Sequence, residues 1–211
     1  MQDSSDQAII AVNIFSTVAR KEQHDPAVVE ALAGHYSEIL RLLGEDPDRE
    51  GLRKTPVRVA KAMLDITAGY RQDPAEIVRQ AVFEHAGSSI VIVKDIEFYS
   101  MCEHHILPFF GKMAIGYIPK GKMIGLSKLA RLVDCFARRL QVQERLTSQV
   151  CHTLADTLPN DGVIVACTAG HLCMKMRGVE KQESSTTTFD YTGRFASEPA
   201  LREEFMRLLA F

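Results

Sequence analysis

Ile90-Val91-Ile92-Val93-Lys94-Asp95-Ile96-Glu97-Phe98, running on into Tyr99-Ser100-Met101-Cys102-Glu103-His104-His105, is where the chain changes character. Helical patterns lie before it; strand patterns begin with it. Four β-branched residues in a row favour an extended, pleated backbone, and Ile96 and Phe98 continue the strand. The strand delivers a thiol, a carboxylate and two imidazoles to consecutive positions, Cys102 to His105, before Ile106-Leu107-Pro108. Polar groups between apolar flanks are costly to bury unless they are paired or bound to a metal. The cluster is therefore a ligand site or an exposed loop.

Working outward, Gly111 to Ile118 alternates around Met113, Ile115 and Tyr117 and reads as a second strand, closed by a turn at Pro119-Lys120-Gly121-Lys122. Ser127 to Leu158 holds two helical stripes, Leu129/Leu132/Val133/Phe136 and Leu146/Val150/Leu154, with Gln141-Val142-Gln143 at the junction. Val163 to Cys167 is a third strand. His171 to Arg177 alternates as a fourth, and the threonine-rich Ser184 to Phe189 offers a further one. Residues 198–210 form a C-terminal amphipathic helix. Upstream, helices are expected over Val28–Leu43, ended by Gly44, from Thr55-Pro56 to Gly69, and over Pro74–Val82. Residues 8–19 form another apolar-rich helical segment. The fold class is α+β, with helices first and then an antiparallel-leaning β-β-α-α-β-β body.

Of the 211 residues, 46% are hydrophobic and 25% charged, the composition of an ordinary globular chain. A net charge of −2 asks for neither nucleic acid nor an anionic membrane, so an anion site has to be local. The five cysteines make an odd number and no basic leader opens the sequence, which argues for free thiols in a reducing, cytoplasmic setting. No apolar run has the length of a membrane span.

Cys102 and His105 converge on one point if the backbone turns tightly between them. A strand at His171-Leu172-Cys173 would put His171, Cys173, Lys175 and Arg177 on one face. Cys102, His105 and Cys173 then form a donor set suited to zinc. Three protein ligands leave a fourth position for water, the catalytic pattern, and bound zinc lowers that water's pKa to about 7. A closed structural centre with His104 or His171 as fourth ligand is the competing reading. Cys135, Cys151 and Cys167 sit in apolar stripes and read as core.

Gly125 to Arg131 reads as a loop opening a helix, with Ser127 as its N-cap and Lys128 and Arg131 beside it. A helix start offers free N–H groups to a phosphate. The same charges also fit a solvated helix face. Glu144, at the start of the next helix, either complements the helix dipole or accepts paired N–H donors from a guanine.

These residues carry a resemblance. Cys102-Glu103-His104-His105, Gly125 to Arg131, Gln141 to Thr147, and His171 to Gly178 resemble the GTP cyclohydrolase I family of the tunnelling-fold superfamily. Glu50-Gly51-Leu52 and Thr55 to Lys61 fit it too, and the likeness covers residues 28 to 210. The resemblance implies a tunnelling fold, an antiparallel sheet with a helix pair on one face, preceded by an N-terminal helical segment. It implies an arm over 1–25, a helical region over 26–85 and a catalytic domain over 86–211. It implies one zinc per subunit on Cys102, His105 and Cys173, and acid/base roles for His104 and His171, with Ser127 in proton transfer. Gln143 and Glu144 would hold the guanine; Lys128, Arg131, Arg177, Arg58 and Lys61 would hold the ribose and triphosphate. The reaction implied is GTP plus water to 7,8-dihydroneopterin triphosphate plus formate, in a toroidal homodecamer with sites between subunits. Two alternatives stand beside it: a non-catalytic zinc-stabilised oligomeric module, and another tunnelling-fold enzyme acting on a pterin or deazapurine.

Overall fold

The computed structural model describes residues 24–209. The helix expected over 8–19 lies outside the described residues. The chain divides into two compact units at Lys61/Ala62.

In the first unit, α1 spans Pro26–Leu42. Asp25 caps it through Ala27 N (2.9 Å), and Pro26 occupies the first turn, where its missing N–H costs nothing. Gly44 stops it in a left-handed conformation (φ 87°) that strains any residue with a Cβ. α2, Thr55–Ile66, begins in this unit and runs into the second. Thr55 is its first helical residue.

The second unit opens with a 3-10 turn, Ala68–Arg71, and α3, Pro74–Arg79, capped by Asp73 through Ala75 N (2.9 Å). Next come β1 (Val82–Glu84), β2 (Val91–Cys102), β3 (Pro108–Pro119), β4 (Lys122–Ile124) and α4 (Leu126–Ala137). β5 (Leu140–Gln141), α5 (Gln143–Thr157), β6 (Asn160–His171), α6 (Leu172–Lys175), β7 (Thr186–Tyr191), α7 (Arg194–Ser197) and α8 (Pro199–Leu209) complete it. The main sheet has the order β5-β2-β3-β6-β7, antiparallel except where β5 lies parallel to β2. β1 and β4 form a separate two-stranded ribbon that the sequence did not suggest.

This is the expected α+β architecture, with the helix pair α4 and α5 packed on one sheet face. Phe98, Phe109, Met113, Ile115, Tyr117, Val163, Val165 and Cys167 meet Leu129, Leu132, Val133, Phe136, Leu146, Val150 and Leu154 in the larger core. The opposite face is buried as well. Ala114, Ile118, Ile164 and Ala166 pack against Phe195 of α7 and Phe205 of α8. A Cβ on Gly116 would come within 2.9 Å of the Phe205 ring, so this small residue admits the aromatic cover. β3 is thus buried on both faces from Met113 onward, although only one alternation is conspicuous in its sequence.

The expected fourth strand is the main correction. β6 runs twelve residues, absorbs the expected third strand and ends at His171. Leu172–Lys175 then turns as one helical turn, and the fourth long strand is β7. Apolar residues alternating with polar ones in so short a segment do not distinguish a strand from a turn, and tertiary context decided. Among the described residues, no helix is long and apolar enough to cross a membrane.

Candidate active site and metal centre

Three strand ends build the site. β2 ends at Cys102, which pairs with Gln141 of β5. The chain reverses over 103–106 in a tight loop: Ile106 N donates to Cys102 O (2.8 Å) and Cys102 N to Leu107 O (2.9 Å). Ile106 takes a positive φ of 53°, rare for a β-branched residue, so the loop is held against local preference. It is tied to β5 and α5 as well. Glu103 N donates to Gln141 O (3.0 Å), and the Glu103 carboxylate pairs with Arg145. Arg145 Nε also donates to Gln141 Oε1 (3.0 Å).

The reversal brings His105 Nδ1 to 3.9 Å from Cys102 Sγ. At the end of β6, the helical turn α6 carries Cys173 to the same place. The ligand atoms of Cys102, His105 and Cys173 all lie within 4.8 Å of one another. Same-face strand alternation is not what unites His171 with Cys173; a strand end and a helical turn do so. Burial raises the Cys173 thiol pKa, and the neighbouring Cys102 raises it further, because two facing thiolates repel. A divalent cation reverses that logic by binding both sulfurs as thiolates. Two sulfurs and an imidazole nitrogen are a donor set that fits zinc.

His104 Nδ1 lies 3.9 Å from Cys102 Sγ, the same separation as His105. Its side chain is largely exposed, and Nε2 is 3.9 Å from Glu103 Oε1. His171 is half-buried at the end of β6, opposite Phe109 of β3 in register. The two rings stack in parallel, centroids 4.7 Å apart. His171 Nε2 lies 2.8 Å from Gln143 Oε1. Burial lowers the His171 pKa, and the negative Glu144 partly opposes that.

Gln143, expected at the guanine edge, has a buried side chain with its whole amide engaged inside the protein. Glu144 is exposed in the first turn of α5. Ser127 is exposed and is not the N-cap of α4. Gly125 takes that position and the helix starts at Leu126, so Ser127 lies in the first turn. Lys128 Nζ donates to Gln80 Oε1 (2.9 Å), and Arg131 is exposed one turn on. Arg177 is exposed just beyond α6, while Arg58 and Lys61 are exposed on α2 within the first unit. Sequence reasoning passed over Phe109, an apolar residue without chemical signal, and Arg145, whose charge beside Glu144 was the available hint. Cys135, Cys151 and Cys167 are fully buried as expected, and burial pushes the thiols of Cys151 and Cys167 up to about 12.

The family model described as GTP cyclohydrolase I matches residues 32–210 of the chain. The chain belongs to the GTP cyclohydrolase I family. GTP cyclohydrolase 1 of Porphyromonas gingivalis is 61% identical over 178 residues, covering 84% of this chain and 92% of that protein. GTP cyclohydrolase 1 of Bacteroides fragilis is 56% identical over 189 residues, covering 90% and 97%. That of Deinococcus radiodurans is 57% identical over 169 residues, covering 80% and 78%. As a member of the GTP cyclohydrolase I family, the chain is an enzyme and a hydrolase.

Proposed function

We propose that the chain is a zinc-dependent enzyme converting GTP and water to 7,8-dihydroneopterin triphosphate and formate, the entry step of tetrahydrofolate- or tetrahydrobiopterin-type pterin synthesis. One observation carries this reading in a chain of this family: Cys102, His105 and Cys173 converge within 4.8 Å, from two separate strand ends. Bound there, zinc would supply Lewis-acid activation of water near neutral pH. His171 protonates the purine ring nitrogen beside the carbon under attack, making that carbon more electrophilic. Burial lowers its pKa, so the ring favours the neutral form and, once protonated, gives its proton up readily. His104 and Ser127 move protons in the later ring-opening and rearrangement steps. Glu144 accepts guanine N–H donors, helped by backbone groups at the start of α5, while the Gln143 amide is engaged inside the protein. Lys128, Arg131, Arg177, Arg58 and Lys61 neutralise the triphosphate and hold the ribose.

The catalytic body is residues 86–211, preceded by a helical region over 26–85 and an arm over 1–25. The working form is a cytoplasmic toroidal homodecamer with pockets between subunits, and it takes no nucleic acid and no membrane. Two observations support assembly. Among the described residues, β2 is paired on its outer side only at Met101 and Cys102, and β7 only on its β6 side. Open strand edges invite pairing with another chain. Tyr99 and Phe110 also stack on exposed surface, centroids 5.8 Å apart.

Zinc-replete protein mixed with GTP should release formate and give the fluorescence of an oxidised pterin; absence of pterin would sink the proposal. The equal 3.9 Å approaches of His104 and His105 to Cys102 favour one alternative, a closed centre with His104 as fourth ligand. Cobalt-substituted protein separates the two, because only the open centre shows an exchangeable water.

A further inference from the structure

The Gln143 side chain is 1% exposed and binds four partners. Its Nε2 lies 3.0 Å from Cys167 O, 3.0 Å from Thr186 O and 3.2 Å from Thr188 Oγ1. Its Oε1 lies 2.8 Å from His171 Nε2. The two ends of a glutamine amide have the same shape but opposite chemistry. Backbone carbonyls only accept, so the end facing two of them has to be the NH₂ group. The oxygen therefore faces the imidazole. An amide oxygen only accepts, so His171 Nε2 carries the proton in this contact. A neutral His171 then has its lone pair on Nδ1. Stacking on Phe109 fixes the plane of the ring, with an interplanar angle of 1°.

We propose that Gln143 is a positioning residue, which holds His171 as the Nε2–H tautomer and leaves Nδ1 as the atom through which the ring exchanges protons with the substrate. This rests on the reading of His171 as the acid of ring opening. Nε2 keeps its proton and its bond to Gln143 in both the neutral ring and the imidazolium. A proton can thus move at Nδ1 without any rearrangement of the network. The anchor is rigid because Gln143, the first residue of α5, is bound to β6 through Cys167 and to β7 through Thr186 and Thr188. A second nitrogen's hydrogen bond is the usual means by which a protein selects a histidine tautomer. The same saturation removes the Gln143 side chain from contact with guanine.

The test uses full-length, zinc-loaded protein labelled with ¹⁵N-histidine. Solid-state NMR reads the protonation of each ring nitrogen, with His171 assigned by subtraction of a His171→Gln spectrum. At alkaline pH the wild type should show a protonated Nε2 and a bare Nδ1. A bare Nε2 overturns the proposal, whether or not the protein turns over GTP. If instead the wild type makes no pterin, the functional reading fails while the tautomer remains readable, so the two failures are distinguishable. Gln143→Met removes the acceptor at similar length. It should lower kcat by about 10–100-fold while KM for GTP and zinc content stay near wild type. A raised KM with unchanged kcat would mean that Gln143 touches substrate, and would overturn the proposal. If Gln143→Met fails to fold, the wild-type spectrum decides.

Discussion

Arg145 and Glu103 support the candidate metal centre from outside its candidate ligands. The Glu103–Arg145 pair joins the Cys102–His105 loop to α5, where Arg145 is itself held by Gln141. Removing such a support typically costs a metal site about 10–100-fold in affinity. Arg145→Ala should therefore weaken zinc binding by that order in a chelator competition, without abolishing it. Unchanged affinity would leave the pair a mere surface contact. Loss of a ligand acts differently: Cys173→Ser should remove stoichiometric zinc, whereas His171→Ala should keep the metal and lose ring opening. Full turnover in either variant contradicts these assignments. The thiols provide another check. Cys151 and Cys167, with pKa values pushed to about 12, hold a thiolate fraction on the order of one in ten thousand at pH 8. Alkylation of native protein at that pH should spare them and Cys135. Stripping the metal should expose Cys102 and Cys173 to reagent, as read by mass spectrometry of the labelled peptides. At this scale the candidate ligands were legible because Cys and His announce their chemistry by type, and the fold brings those three together. The Gln143 clamp was not, since an amide has no such signature and its partners come from β6 and β7, more than twenty residues on.

The elements were legible where burial is one-sided. The stripes of α4 and α5 and the β-branched start of β2 match what folds, because one apolar face per element is what periodicity detects. Periodicity failed at α6, where Leu172 to Lys175 alternates like a strand yet forms a helical turn. It also showed only half of β3, whose second face is built from Ala114, Gly116 and Ile118 beneath α7 and α8. That second layer yields a prediction. Phe205→Ala deletes a fully buried ring and should destabilise the fold by about 3–5 kcal/mol, read from the urea midpoint. Zinc stoichiometry should be unchanged in the protein that remains folded, because the candidate ligands Cys102 and Cys173 pack with the other core. Loss of zinc in step with stability would instead mean that the two sheet faces are coupled.

For the whole molecule, local pattern gave the α+β class, but the identity of the enzyme came from four separated motifs in one order, a kind of information that no single element contains. The proposed assembly adds a condition that no lone chain can meet. All three candidate metal ligands come from one chain, whereas the proposed pocket lies between subunits. Metal binding and turnover should therefore separate when the assembly is taken apart. Native mass spectrometry of the intact protein should find ten chains and ten zinc ions. Urea at concentrations that dissociate the ring before it unfolds the chains should yield smaller species that retain one zinc each. Those species should form no pterin from GTP, and dilution out of urea should restore mass and activity together. Zinc lost in parallel with dissociation would mean that the centre depends on a neighbour despite its single-chain ligands. Full activity in dissociated protomers would mean that the pocket is complete within one chain and that the open edges of β2 and β7 serve something other than catalysis.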